Sequence, residues 1–204
     1  MNRDSEPYLT FEKARTALGA KGENVSVIFL AGVHGVGKGF LGKLVANAIG
    51  ISHFTASQLI REERGQATWG TDKKTADLDG NQHALLRAVS QRRLIHKNIL
   101  LDGHFVLRNA RGALTPLEIK VFKELQLTGV ILLTEELNVI ANRLATRDKA
   151  DADLYAIAEL VEAEFAHAQA VCHELRLTLT LIHAPTEKSV INAINRLLEA
   201  ENRI

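Results

Sequence analysis

One short segment constrains this chain more than any other: Gly32-Val33-His34-Gly35-Val36-Gly37-Lys38-Gly39. It follows an apolar, branched run over residues 25–31. It precedes residues 38–49, where Leu41, Leu44, Val45 and Ala48 recur at three-four spacing. The first stretch reads as a buried strand and the second as an amphipathic helix. The pattern G-x-x-x-x-G-K between a strand and a helix is a phosphate-cradle pattern. Glycines let main-chain N–H groups turn inward around an anion, and the following helix aims its positive end at the same point. Lys38 adds a mobile cation for the outer phosphates. The expected nucleotide-binding positions are Gly32, His34, Gly35, Val36, Gly37, Lys38, Gly39 and Phe40. His34 is expected at the rim, where it can add a pH-dependent positive charge.

Beyond this loop, apolar runs alternate with helical patterns. Strands are expected at 51–54, 99–102, 130–133 and 177–183, besides the first. Helices are expected at 56–64, 81–96, 117–125, 136–147, 153–175 and 187–200. Five strands separated by helices imply an α/β fold: a three-layer phosphate-loop NTPase with a five-stranded parallel sheet and helices on both faces. Residues 25–204 would form this domain. Residues 65–80, polar and short of large apolar groups, read as a mobile loop on the acceptor side.

Composition supports one packed domain. The chain has 204 residues, 46% hydrophobic and 24% charged, so wholesale disorder is excluded. The formal charge of +1 offers no basic excess for a phosphate backbone, so nucleic acid is not the expected partner. The single cysteine, Cys172, rules out an internal disulfide framework and suits a reduced, cytoplasmic compartment. It reads as a buried core thiol. No apolar stretch approaches the 20 or so residues of a membrane span, and the first residues carry no signal-peptide pattern. Residues 1–24 read as an appendage in which Thr10 caps a helix bearing Phe11, Ala14, Ala17 and Leu18. That helix would offer a contact for a protein partner.

Two positions bear on metal binding. A Ser or Thr normally follows the loop lysine and ligates Mg²⁺, but Gly39 follows here and then Phe40. The magnesium would be held by phosphates, waters and a distant carboxylate. Asp102, at the end of Asn98-Ile99-Leu100-Leu101-Asp102, is that carboxylate, because C-terminal strand ends face the ligand crevice in such sheets. Arg143 and Arg147, four apart, share a helical face and can grip one anion.

At Lys38-Gly39 the sequence resembles the adenylate-kinase branch of the nucleoside monophosphate kinases, whose loop also reads Gly-Lys-Gly. His53-Phe54-Thr55-Ala56-Ser57-Gln58-Leu59-Ile60-Arg61 is similar to that family's His-Ile-Ser-Thr-Gly-Asp-Met-Leu-Arg segment. The likeness implies that Arg61 holds the acceptor phosphate and that Ser57 stands where the acceptor base is met. Leu101-Asp102-Gly103 is similar to the family's Leu-Asp-Gly, which implies a magnesium role for Asp102. Arg143-Leu144-Ala145-Thr146-Arg147 is similar to the pair of arginines opening the family's lid, here a short one over 143–152. A second likeness is to short-lid adenylate-kinase-like ATPases, echoed in Thr71-Asp72-Lys73-Lys74-Thr75-Ala76-Asp77 and in His104, an acceptor-side or water-orienting group.

The resemblance implies Mg²⁺, ATP as co-substrate and transfer of its γ-phosphoryl group to a nucleoside monophosphate. Lys38, Asp102, Arg143 and Arg147 are the implied catalytic groups. Departures keep two alternatives open. Phe40 replaces the family's threonine, and 151–175 has no arginine, offering Glu159, Glu162, Glu164 and Glu174 instead. One alternative is a slow ATPase or nucleotide-dependent switch acting through a protein partner. The other is a kinase of a small non-nucleotide metabolite, as in gluconate- and shikimate-type relatives.

Overall fold

A computed structural model describes residues 25–65, 78–109, 111–149 and 151–201. Five parallel strands make the central sheet: β1 (Ser26–Ala31), β2 (Ser52–Thr55), β3 (Asn98–Asp102), β6 (Gly129–Thr134) and β7 (Thr178–His183), in the order β2-β3-β1-β6-β7. β1 is central, with Leu30 beside Asp102 on β3 and beside Ile131 on β6. Every residue of β1 is buried. Its alternate side chains serve two cores, as strand geometry requires. Val27, Phe29 and Ala31 pack on one side with Ile99, Leu101, Val130 and Leu132. Ile28 and Leu30 pack on the other with Leu100, Ile131 and Leu133.

Seven helices are described: α1 (Lys38–Ile49), α2 (Ala56–Glu63), α3 (Leu78–Arg93), α4 (Ile119–Glu124), α5 (Leu137–Asp148), α6 (Leu154–Leu175) and α7 (Glu187–Glu201). Leu41 and Val45 of α1, Ile140 of α5 and Val190 and Ile194 of α7 fill one core. Leu85 and Val89 of α3, Phe122 of α4 and Ala168 and Val171 of α6 fill the other. The helices therefore lie on both faces of the sheet, as the alternation implied. Their ends follow local capping chemistry. Thr55 accepts from the Gln58 N–H at 3.2 Å to start α2, and Asp153 accepts from Tyr155 and Ala156 to start α6.

One feature departs from the expected five strands. Val106–Arg108 (β4) and Leu114–Pro116 (β5) pair antiparallel as a separate hairpin. Its turn is held by Asn109, whose side chain accepts from the N–H groups of Arg111 and Ala113. The hairpin directly follows the end of β3, so it shares a base with the site. The expected appendage at 1–24, and 66–77 of the acceptor-side loop with its Thr71–Asp77 echo, lie outside the described residues. Among the described residues, no helix is long and apolar enough to cross a membrane.

Candidate active site

The loop between β1 and α1 turns through three glycines with positive φ: Gly32 at 139°, Gly35 at 85° and Gly37 at 106°. L side chains rarely adopt such angles. Space forbids one at Gly32 as well, because an added Cβ would stand 2.6 Å from the Leu133 carbonyl oxygen. The loop is thereby packed against β6 from behind.

A cleft of about 590 Å³ opens over this loop. It is lined by His34, Gly35, Gly37, Lys38, Gly39 and Phe40 of the phosphate loop and the start of α1, and by Ser57, Arg61, Asp102 and His104. Arg143 and Arg147 reach it from α5. The structure thus brings together on one surface almost every position singled out from the sequence. Gly32 and Val36 are the two that do not line it. The Val36 side chain is buried in the core, and its N–H turns back to the Val33 carbonyl at 3.4 Å. These two positions shape the loop from behind.

Lys38 is almost fully buried. Its ammonium donates to the carbonyls of Gly32 at 2.6 Å and Val33 at 3.3 Å, and stands 3.9 Å from Oδ1 of Asp102. Burial raises the Asp102 carboxyl above its ordinary range, and the Lys38 charge pulls it back. β3 delivers Asp102 to this spot because its register with β1 sets Asp102 level with Leu30, two residues before the loop.

The arginines differ in their engagement. Arg143 donates to the carbonyls of Gly35 and Val36 and lies 3.4 Å from Glu135. Arg147 is paired with its neighbour Asp148, at 2.6 and 2.7 Å. The glutamates flanking Arg61 are taken by other partners: Glu62 by Arg92, and Glu63 by Arg87, each at 2.8 Å. Arg61 itself faces the cleft. His34 is exposed at the rim as expected, and its ring lies 4.2 Å, centroid to centroid, from that of His104.

The residues present suit magnesium. Asp102 supplies one hard oxygen ligand beside the phosphate loop, and Mg²⁺ is commonly held by one or two carboxylates with waters and substrate phosphates. Asp102 Oδ2 lies 3.6 Å from where a Cβ on Gly39 would stand, so the carboxylate meets the first turn of α1 without a side chain between. Among the described residues, no group of three or more His, Cys, Asp or Glu forms a dedicated metal cage.

Glu164 on α6 is the site-adjacent residue that the sequence reading left without a role. It is 1% exposed, and its carboxylate accepts from the main-chain N–H groups of Gly32, Phe105 and Val106. Burial pushes its pKa up, against the pull of the Phe105, Val106 and Gly32 amides and the Lys38 charge. A signal existed. Glu164 falls within the buried stripe of Ile157, Ala168, Val171 and Cys172, where an apolar residue would be expected. Asn81 was also missed; it is buried beside the cleft and accepts from Arg64 at 2.6 Å.

Fold, loop and cleft together define a P-loop kinase-like domain. The family model AAA_17, an AAA domain, matches residues 31–160, and the chain belongs to that family. Solved structures agree on the fold. A shikimate kinase from Acinetobacter baumannii in complex with shikimate is similar with a TM-score of 0.59, at 16% identity over 88% of this chain and 96% of that one. Shikimate kinase from Aquifex aeolicus gives 0.54, at 13% identity over 86% of this chain and 98% of that one. A gluconokinase from Sinorhizobium meliloti 1021 gives 0.50, at 15% identity over 88% and 94%. No curated protein matches the chain by sequence.

Proposed function

We propose that this protein is an ATP- and magnesium-dependent phosphotransferase whose acceptor is a nucleoside monophosphate. One observation carries the reading: Lys38, Asp102 and Arg61 line a single cleft, with Asp102 3.9 Å from the Lys38 ammonium. Phosphoryl transfer needs alignment and charge neutralisation more than covalent help. The loop amides and Lys38 would hold the donor's phosphates. Asp102 would hold magnesium through water, and the metal would neutralise charge on the transferring group. Arg61 would hold the acceptor's phosphate. Arg143 and Arg147 would close on the phosphoryl group between them.

The lining of the cleft also bears on substrate class. Ile60, Leu85, Leu107, Val121 and Phe122 are apolar lining residues of the cleft, and Ser57, Asn81 and Gln82 are polar ones. A flat base can lie on such a lining. Each hydroxyl of a polyhydroxylated acid left unpaired there would cost about 1–3 kcal/mol. This favours a nucleotide over a gluconate- or shikimate-type acceptor. The test is ADP formation from ATP in a screen of ribo- and deoxynucleoside monophosphates, with gluconate and shikimate as contrasts. Strong stimulation by one nucleotide is expected; stimulation by a sugar acid alone would transfer the assignment to the metabolite-kinase class. Lys38→Ala should abolish nucleotide binding, and unweakened binding would remove the phosphate site itself.

A second reading has its own support. α6 brings the buried Glu164 toward the loop instead of an arginine, and Phe40 brings no hydroxyl. A slow, acceptor-independent ATPase acting as a switch fits those two features. It predicts hydrolysis that no acceptor accelerates.

A further inference from the structure

Glu164 is bonded to two segments that the cleft needs in register. Its Oε1 accepts from the Gly32 N–H at 3.3 Å and from the Phe105 N–H at 3.0 Å. Its Oε2 accepts from Phe105 at 2.9 Å and from Val106 at 2.7 Å. Gly32 opens the phosphate loop, and its carbonyl in turn accepts from Lys38. Phe105 and Val106 begin immediately after Asp102-Gly103-His104. One carboxylate therefore ties the root of the anion cradle to the segment that carries the magnesium carboxylate. All three main-chain partners are donors, which favour the ionised carboxylate against the burial that raises its pKa. His104 Nδ1, at 4.0 Å from Oε1, lies on the same side.

No other contact described between these two segments has this form. The sheet aligns β1 with β3 only as far as Leu30 and Asp102, and the Gly103 N–H then closes on the Leu30 carbonyl. Past that point one chain runs into the phosphate loop and the other into the β4–β5 hairpin, meeting again through the His34 and His104 rings. Glu164 bridges the two main chains from α6. A neutral side chain of the same shape would keep the volume but set an N–H group against one of the amide donors.

We propose that Glu164 is a positioning residue for magnesium–nucleotide binding: by holding the amides of Gly32, Phe105 and Val106 on one carboxylate, it keeps the root of the phosphate loop in register with Asp102, which the sheet fixes beside Leu30. The proposal rests on the reading of this cleft as a magnesium–nucleotide site. It separates two quantities that an ordinary packing residue would move together. Phosphates held by loop amides and Lys38 need the loop alone. The added affinity from magnesium needs the loop and Asp102 in register. Residues that orient metal ligands from outside typically change metal affinity by about 10–100-fold.

The experiment uses the full chain and a non-hydrolysable ATP analogue, titrated calorimetrically with excess chelator and again with saturating magnesium. The ratio of the two affinities is the magnesium enhancement. Glu164→Gln is expected to leave the metal-free affinity within about threefold of wild type while cutting the enhancement about tenfold. Glu164→Asp, which keeps the charge on a shorter arm, should recover part of it. An unchanged enhancement in Glu164→Gln overturns the proposal. So does an equal loss of metal-free and magnesium-dependent affinity, which would mark a merely structural role. If Glu164→Gln lacks the wild-type circular dichroism spectrum, Glu164→Asp decides: reduced enhancement with intact metal-free binding supports the proposal, and full enhancement overturns it. Wild-type protein that binds the analogue without any enhancement also overturns it. Wild-type protein that binds no nucleotide overturns the phosphate-site reading itself, and the proposal with it.

Discussion

Arg143 stands on α5, yet its Nη1 donates to the main-chain carbonyls of both Gly35 and Val36, at 3.2 and 3.1 Å. The guanidinium thus grips the loop whose amides are the proposed anion cradle. Arg143 also lines the cleft. Arg143→Ala should lower single-turnover phosphoryl transfer or hydrolysis about a hundredfold, the scale of losing one preorganised charge-stabilising donor. ATP affinity should weaken much less, because Lys38 and the amides remain. Arg143→Lys should rescue little, since an ammonium cannot reproduce the planar fork. Equal losses in affinity and rate would contradict this division of labour.

Gly103 is expected to tolerate no side chain. An added Cβ would lie 2.6 Å from the Phe29 ring. That ring has nowhere to go, since Phe105 and Phe122 meet it edge-on at centroid distances of 5.2 and 5.6 Å. Gly103→Ala should destabilise the fold by about 1–3 kcal/mol, the usual cost of overpacking a tight core. Urea denaturation of the two proteins gives the comparison, and an unchanged midpoint would show that the aromatic cluster yields.

Stability should also depend on His53. Burial lowers its pKa below 6.5, and its Nε2 lies buried with no hydrogen-bond partner. The unfolded chain therefore takes up the proton first as pH falls. The resulting loss of stability begins as pH drops through the unfolded-state value near 6.5 and is complete below the depressed folded-state value. Denaturant midpoints at pH 7.5 and 5.5 should differ in the wild type and differ less in His53→Gln. An identical pH dependence in the variant would remove His53 as the cause.

Cys172 lies in the core of α6, and burial pushes its thiol up to about 11. The thiolate is the reactive form, so alkylation by iodoacetamide near pH 8 should be slow in native protein and fast in denaturant. Rapid native labelling, followed by mass spectrometry, would mean that α6 opens readily.

Much of this architecture could be read along the chain because its signals are local. The run ending at Ala31, the glycine-rich turn and the helical spacing of Leu41 and Val45 stand next to one another in sequence. Each sets its own backbone state before any distant contact forms. The observed strands and helices differ from the expected ones mostly by a few residues at their ends, as at Leu78–Arg93 against 81–96. The β4–β5 hairpin escaped because strands of three residues are too short to display a two-residue period. Its turn signal, Asn109 with Gly112, was present but had no strand beside it to frame it.

By itself, the order of residues determined that a strand would end in an anion-binding turn, and that helices and strands would alternate into a covered parallel sheet. Only the tertiary structure decided which groups meet over that turn. Asp102 arrives by its register beside Leu30, Arg143 by the packing of α5, and Glu164 from 132 residues beyond Gly32. The physical reason is that backbone conformation is chosen among neighbours in the chain. A buried carboxylate finds its donors only after two segments, remote in sequence, have been folded against the same helix.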